Sequence, residues 1–230
     1  MAITGVLFDF SGTLFRVESV REWLHATLEA RGTAVSEADF TRYAEQLAAA
    51  GALPGGPSPR ELPPELAAGW AVRDESAERH RAVYTALARR VELPDPGLYE
   101  ALYERHTHPD AWQPYPDAAG VLRELRERGT GIAVVSNIGW DLRPVFRRHG
   151  LDELVDAYVL SYEHGVQKPD ARLFRAACEA LGVRPGDALM VGDDREADGG
   201  AAALGCAVRL VDHLPVAERP CGLRPVLEHR

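Results

Sequence analysis

Short apolar runs that close on an acid or a hydroxyl set the framework of this chain. MAITGVLFDF at 1–10 is the first, rich in branched and aromatic residues and reaching Asp9. GIAVVSN at 131–137, DALMVGD at 187–193 and CAVRLVD at 206–212 repeat the pattern, and AYVLS at 157–161 is a weaker version. Such continuous runs predict strands buried on both faces of a sheet. Helix-length segments separate them at 116–129, 141–150, 169–182 and 195–205. Gly129, Gly150, Gly182 and Gly205 stand as stop signals after these segments, and Pro169 stands at a predicted first turn. Strand and helix in alternation predict an α/β fold, a doubly wound and mainly parallel sheet, because parallel neighbours need helical crossovers.

Residues 16–111 break the alternation. Their periodicity is helical, over roughly 18–31, 36–50, 62–92 and 96–107, with no convincing strand. GALPGGPSPRELPP at 51–64 interrupts them and reads as a surface loop. The expected organisation is a core of 1–15 and 112–230 with a helical insert of 16–111. The insert leaves the core beyond the first strand's carboxyl end, where ligands bind in open α/β sheets, so it is placed to cover a site as a lid. Within it, Trp70, Val72, Ala77, Val83, Tyr84 and Leu87 read as packing the insert's own core, while Trp23, where the chain enters the insert, reads either as core or as a substrate contact. Arg16 and Glu18 lie where the chain passes into the insert, either on the surface or near substrate.

Composition narrows the partners. With 46% apolar residues and a net charge of −9, the 230-residue chain has material for a buried core and lacks the basic balance that nucleic acid rewards. Its arginines interleave with Glu along helical stretches, as in RELRERG at 123–129, a solvated-face pattern. Cys178, Cys206 and Cys221 are too few and too scattered for a disulfide framework; Cys178 and Cys206 read as small core residues. No 18-residue apolar run suggests a membrane span, so a soluble, cytoplasmic monomer or homodimer is expected. The eight histidines show no metal-ligand spacing; the HTH at 106–108 reads as a helix end and His164 as solvated.

Candidate chemistry gathers at predicted strand ends. Asp9 closes the first strand and is followed by the turn FSGT; Ser136 and Asn137 close the second; Lys168 lies in GVQKPD beyond the weaker strand. Asp193 and Asp194 close the fourth, with Asp198 shortly after. Asp9 and Asp193 suit a hard cation such as Mg²⁺, which takes one or two carboxylates. A carboxylate is ionised at neutral pH and can serve as a nucleophile. Ser136 can donate to a phosphoryl oxygen, and Lys168 supplies positive charge against developing negative charge. Gly12 would let backbone N–H groups approach a phosphoryl group.

DFSGT, VVSN, QKPD and VGDD…D, in that order, resemble the four motifs of the haloacid dehalogenase-like superfamily, and the segment from YPDAAGVLRELRERG to about 211 is similar to it throughout. The insert matches the position of that family's α-helical cap. The resemblance implies a Rossmann-like core and hydrolysis of a small phosphorylated metabolite through an aspartyl-phosphate on Asp9. It implies Mg²⁺ bound by Asp9, the Ser11 carbonyl and Asp193, and substrate contacts from Phe10, Gly12 and Asn137. Ser136 and Lys168 would grip the phosphoryl group, with Asp194 and Asp198 behind them. One position departs. Family phosphatases usually carry a second Asp two residues after the nucleophile, where this chain has Ser11. A positioned general acid/base is worth ~10²–10⁴ in rate. Ser11 therefore leaves three further expectations open: a 2-haloacid dehalogenase, a phosphonatase-like hydrolase, or a degenerate relative with little turnover. The phosphonatase reading needs an insert lysine, and 16–111 contains none. A receiver-like phosphorylation module, which also combines Asp, a hydroxyl and Lys, has no place for the insert.

Overall fold

The computed structural model describes residues 3–228. Met1 and Ala2 of the expected first strand run, and His229 and Arg230 of the expected core, lie outside them. The strands are β1 (Gly5–Phe8), β2 (Phe15–Val17), β3 (Trp112–Pro114), β4 (Gly131–Ser136), β5 (Ala157–Leu160), β6 (Ala188–Gly192) and β7 (Ala207–Leu210). Five form one sheet in the order β5-β4-β1-β6-β7, and every pairing in it is parallel. This is the expected doubly wound architecture, with β1 at its centre: Gly5–Phe8 are matched to Gly131–Val134 on one side and Ala188–Val191 on the other.

Both faces of that centre are buried, which is why its sequence lacks polar alternation. Val6 and Phe8 join Ile132, Val134, Leu189 and Val191 on one face; Leu7 joins Ala133, Val135 and Met190 on the other. Full burial of each large apolar side chain contributes roughly 1.5–3 kcal/mol relative to exposure. The helices are α1 (Val20–Arg31), α2 (Glu37–Ala50), α3 (Pro64–Ala71), α4 (Ala77–Ala88), α5 (Leu98–Thr107), α6 (Ala118–Glu127), α7 (Arg143–Arg148), α8 (Ser161–His164) and α9 (Ala171–Leu181). Helices α6 and α7 pack in the cluster of the first face through Val121, Leu122, Val145 and Phe146. Helix α9 covers the second through Leu173, Phe174, Ala177 and Cys178.

Helices α1–α5 all fall between β2 and β3. A capping box of Ser19 and Glu22 starts α1, and Trp23 is buried with its indole N–H donating to the Leu102 carbonyl, so of its two readings the structure takes core packing. His106 and Thr107 end α5, and His164 is exposed. Cys178 and Cys206 are buried.

Several expectations need correction. β2 and β3 pair antiparallel, Phe15 opposite Pro114 and Val17 opposite Trp112, forming a ribbon where the chain leaves and rejoins the core. Three-residue strands carry too little periodicity to be seen in sequence. The expected helix over 62–92 is three pieces, α3, a 3-10 turn at Arg73–Glu75 and α4. It breaks because Ser76 caps α4 and because the backbone at Asp74 is tied to the core, its N–H donating to Gln167 and its carbonyl accepting from Ser161. The expected helix at 195–205 is a 3-10 turn over Gly199–Leu204. Helix α9 begins at Ala171, capped by Asp170, so Pro169 precedes it. The 51–64 segment is no mere surface loop, since Gly51, Ala52, Leu53 and Pro54 are buried.

Candidate functional site

A crevice of about 330 Å³ opens at the carboxyl ends of the sheet strands, and Asp9, Ser11, Ser136, Asn137, Lys168, Asp193, Asp194 and Asp198 all line it. Residues far apart in sequence thus meet as the strand-end rule predicts. Asp9 follows β1 directly and is held by its N–H donating to the Val191 carbonyl at 2.9 Å. Ser136 is the last residue of β4 and is buried.

Lys168 is the chain's single lysine among 26 basic residues, and it is only 3% exposed. Its Nζ donates to Asp9 Oδ1 at 2.7 Å and Asp198 Oδ1 at 2.5 Å. A compact ammonium fits between two converging carboxylates where a planar guanidinium fork would not. Burial works against that charge, yet Asp198 and Asp9 hold the Lys168 pKa above that of free lysine. Burial conversely holds the Asp9 carboxyl well above the usual carboxylate range; Lys168 pulls it down, while Asp198 and Asp193 push it up again.

The remaining acids divide by role. Asp198 is 1% exposed, and its second oxygen accepts the Asp194 N–H, so both its oxygens are engaged inside the protein. Asp194 is exposed and caps the following turn by accepting from the N–H groups of Glu196 and Ala197. Asp193 accepts from the Thr13 hydroxyl at 3.3 Å and contacts His213 Nδ1 through its other oxygen. Burial works against its charge, but the His213 hydrogen bond holds its carboxyl below the usual range. One oxygen each from Asp9, Asp193 and Asp198 lies within 4.8 Å of the others, a grouping able to hold a metal ion. All three are hard oxygen donors, the kind that a cation such as Mg²⁺ takes.

Of the three predicted substrate contacts, Phe10 and Gly12 are turned from the crevice and Asn137 lines it. The Phe10 side chain turns away into an aromatic cluster with Phe15, Trp112, Trp140 and Phe146 and is fully buried, because apolar packing outcompetes the crevice for it. The Gly12 N–H donates to the Phe15 carbonyl at 2.7 Å, so it does not point at the crevice. Gly12 has φ 84°, and any Cβ there would run into Asp193 and His213; the glycine makes room for that pair. Asn137 uses both ends of its amide on the Lys168 backbone, accepting from its N–H at 2.6 Å and donating to its carbonyl at 3.0 Å. It lines the crevice while fixing the loop that carries the lysine.

Several lining residues escaped the sequence reading. His213 lies three residues beyond β7, at the same end of the sheet as Asp9, and has no neighbour at metal-ligand spacing to mark it in the sequence. From the insert come Leu53–Ser58, Trp70, Arg73, Asp74, His80 and Tyr84. Arg73 stacks on the Trp70 ring at 4.0 Å, pairs with Asp74 at 3.5 Å and donates to the Tyr84 hydroxyl at 3.4 Å. His80 Nδ1 lies 2.7 Å from the Tyr103 hydroxyl. Burial raises the Asp74 carboxyl pKa and depresses that of His80. Arg16 and Glu18 line a neighbouring cleft instead, with Glu18 in a bidentate pair with Arg105 at 2.7 and 2.5 Å.

Comparison with known proteins agrees with this geometry. The chain is 32% identical to the glyceraldehyde 3-phosphate phosphatase of Methanopyrus kandleri over 85% of its length and 78% of that protein. It is 36% identical to the phosphoserine phosphatase of Thermus thermophilus over 70% of this chain, a match that spans only 60% of the Thermus protein. The structure of L-2-haloacid dehalogenase from Xanthobacter autotrophicus with chloropropionic acid covalently bound superposes with a TM-score of 0.65 over 94% of this chain and 81% of that one, at 23% identity, a likeness of fold. Among the described residues no helix is long and apolar enough to cross a membrane. Residues 3–205 match the haloacid dehalogenase-like hydrolase family, and with the parallel sheet and its strand-end acids in place, the chain belongs to that family.

Proposed function

We propose that the protein is a Mg²⁺-dependent hydrolase of a small phosphorylated metabolite, with Asp9 as nucleophile and the helical insert of 16–111 as its cap. The observation that carries this reading is the arrangement of three carboxylates around one buried lysine. Asp9, Asp193 and Asp198 bring more negative charge into the crevice than Lys168 can balance. A site that must receive a phosphate dianion needs further positive charge there. Mg²⁺ held by Asp9, Asp193 and the Ser11 carbonyl would supply it, neutralising the phosphoryl oxygens.

The chain's own groups account for the remaining steps. Asp9 Oδ attacks phosphorus, the bond to the leaving oxygen breaks, and an aspartyl-phosphate forms; water then cleaves it and returns the carboxylate. Lys168 fixes the Asp9 carboxylate at 2.7 Å and offers its charge to the phosphoryl oxygens, and Ser136 donates to one of them. Asp198 holds the lysine in place. The Ser11 hydroxyl does not ionise near neutral pH and so cannot serve as general acid and then base, which means leaving groups that need little protonation should react best.

The second reading is 2-haloacid dehalogenation, favoured by Ser11 alone, in which Asp9 would displace halide and need no cation. One panel separates the two: p-nitrophenyl phosphate, glycerol 3-phosphate and 2-chloropropionate, each with Mg²⁺ or with EDTA. Phosphate release that stops in EDTA and returns with Mg²⁺ is expected. Chloride release undiminished by EDTA, without phosphate release, overturns the proposal.

A further inference from the structure

The match to the family model ends at residue 205, but the chain continues, and the segment beyond β7 returns to the nucleophile. Its backbone stays fastened to the core. The Tyr115 hydroxyl donates to the Leu214 carbonyl at 2.7 Å, Asp117 accepts from the N–H groups of Leu223 and Arg224 at 2.7 and 3.1 Å, and Leu223 and Val226 are buried in the main apolar cluster. Arg128 donates to the Leu227 carbonyl at 2.6 Å near the far end. Residues 212–228 therefore form a strap across the core rather than a loose tail.

Arg219 is the side chain this strap sends inward. It is 4% exposed, and its guanidinium lies 3.2 Å over the Tyr115 ring. Its Nη1 donates to the Gly12 carbonyl at 2.6 Å and the Asp212 carbonyl at 2.9 Å, and its Nη2 donates to the Thr13 carbonyl. A buried guanidinium whose hydrogen bonds go to backbone carbonyls is a costly device, because desolvation is offset by dipoles and a ring face rather than by a full opposite charge. The carbonyls it holds belong to the turn directly after Asp9. That turn also carries the Thr13 hydroxyl to Asp193 at 3.3 Å, and its Gly12 backbone is what lets Asp193 and His213 come close. One rigid fork thus grips two successive peptide groups of the turn joining the nucleophile to the opposing acid.

We propose that Arg219 is a positioning residue for the nucleophile loop: its guanidinium clamps the Gly12 and Thr13 carbonyls and so sets Asp9 against Asp193. It acts through the backbone and touches no reacting atom. A misplacement of about 1 Å at a reacting group costs on the order of 10²-fold in rate, which sets the effect to expect. The kinetic readout rests on the phosphatase reading; hydrogen exchange of the loop does not.

The test compares Arg219→Ala and Arg219→Lys with Arg128→Ala, which loosens the strap without reaching the loop. With p-nitrophenyl phosphate and Mg²⁺, Arg219→Ala should lower kcat about 10²-fold while KM moves less than about threefold. Added methylguanidinium should recover part of that loss. Arg219→Lys, with one donor group in place of a fork, should fall between, and Arg128→Ala should keep kcat within about twofold. Deuterium uptake over residues 9–15 should rise in Arg219→Ala and not in Arg128→Ala. A folded Arg219→Ala with unchanged kcat and unchanged uptake overturns the proposal. So does an equal kcat loss in Arg128→Ala, which would assign the effect to the strap as a whole. Should Arg219→Ala not fold, Arg219→Lys carries the test, and wild-type kcat and uptake in that variant overturn it. If the wild type releases no phosphate but the uptake difference is seen, the clamp stands and the phosphatase reading fails.

Discussion

The two walls of the crevice are built on different principles. The sheet side presents polar groups at the ends of buried parallel strands, and its charges are mutually engaged: Lys168 with Asp9 and Asp198, Asp193 with Thr13 and His213. The insert side presents aromatic rings on α3 and α4, a Pro/Gly loop, and one Arg–Asp pair on the turn between those two helices. A strand end offers a fixed point, because neighbouring strands pin its backbone on both sides; a turn between amphipathic helices offers adjustable shape. Chemistry that must not vary suits the first wall, and substrate recognition suits the second.

The largest effect should come from the sheet side. Asp9→Asn should reduce phosphate-ester turnover at least ~10³-fold, since a neutral amide is a poor nucleophile and a weaker ligand for a cation. Circular dichroism should be unchanged. Turnover above a few per cent of wild type in the folded variant would remove Asp9 from the chemistry and, with it, the division between the walls.

Lys168→Met comes next and reads stability as well as rate. Removing one partner of a buried charge cluster leaves the others uncompensated, typically at a cost of about 3–5 kcal/mol. Both carboxylates facing Lys168 are buried. The urea midpoint in EDTA should therefore fall by a corresponding amount. A midpoint equal to wild type would mean the ammonium contributes no more than a surface charge.

The insert side should respond to pH instead. Burial depresses the pKa of His106 to about 3, against an unperturbed value near 6.5. Its stabilisation is present above pH 6.5 and is lost as pH falls toward 3, because the unfolded chain takes up the proton first. Between pH 7 and 5 the loss from this one group is about 2 kcal/mol. His106→Gln should shrink the wild-type difference between urea-unfolding free energies at pH 7 and pH 5 by about that amount. Equal pH dependence in both proteins would show that His106 takes up its proton in the fold at the same pH as in the unfolded chain.

This contrast also explains what could be read from sequence. Asp9, Ser136 and Asp193 were legible because each is a polar residue at the end of a run buried on both faces, a signal that is local and strong. Lys168 was legible only in the company of the other motifs, and its engagement with Asp198 could not be known without the fold. Asp74 and Arg73 were hidden inside what looked like one long helix; the Ser76 cap that divides it was the available signal. The buried start of the 51–64 segment resisted reading because Pro and Gly mark a turn without saying what the turn covers. Arg219 had no signal at all, since a single arginine in an irregular tail is ordinarily solvated.

Ser11 lies at the seam between the walls, and the smallest predicted effect tests how they divide the work. Gly55 of the insert loop, at φ 75°, lies over it: a Cβ there would stand 2.8 Å from Ser11 Oγ and 3.0 Å from the Trp112 ring. Position 11 is thus roofed by the insert, and an added carboxylate must share that space. Ser11→Asp should raise glycerol 3-phosphate turnover at least tenfold, about 1.4 kcal/mol of barrier, by protonating the departing alkoxide and then deprotonating the hydrolytic water. p-Nitrophenyl phosphate, whose leaving group needs little protonation, should gain much less in its first step. The ratio of the two rates is therefore the readout, because a general change in loop packing would move both together. A ratio that does not move, with Mg²⁺ affinity unaltered, would mean that proton transfer at position 11 is not limiting. The proton would then have to come from another group lining the crevice, with Asp74 and His80 on the insert and His213 on the sheet side as the titratable candidates. Were it an insert residue, the clean division between a chemical wall and a recognition wall would fail at this seam.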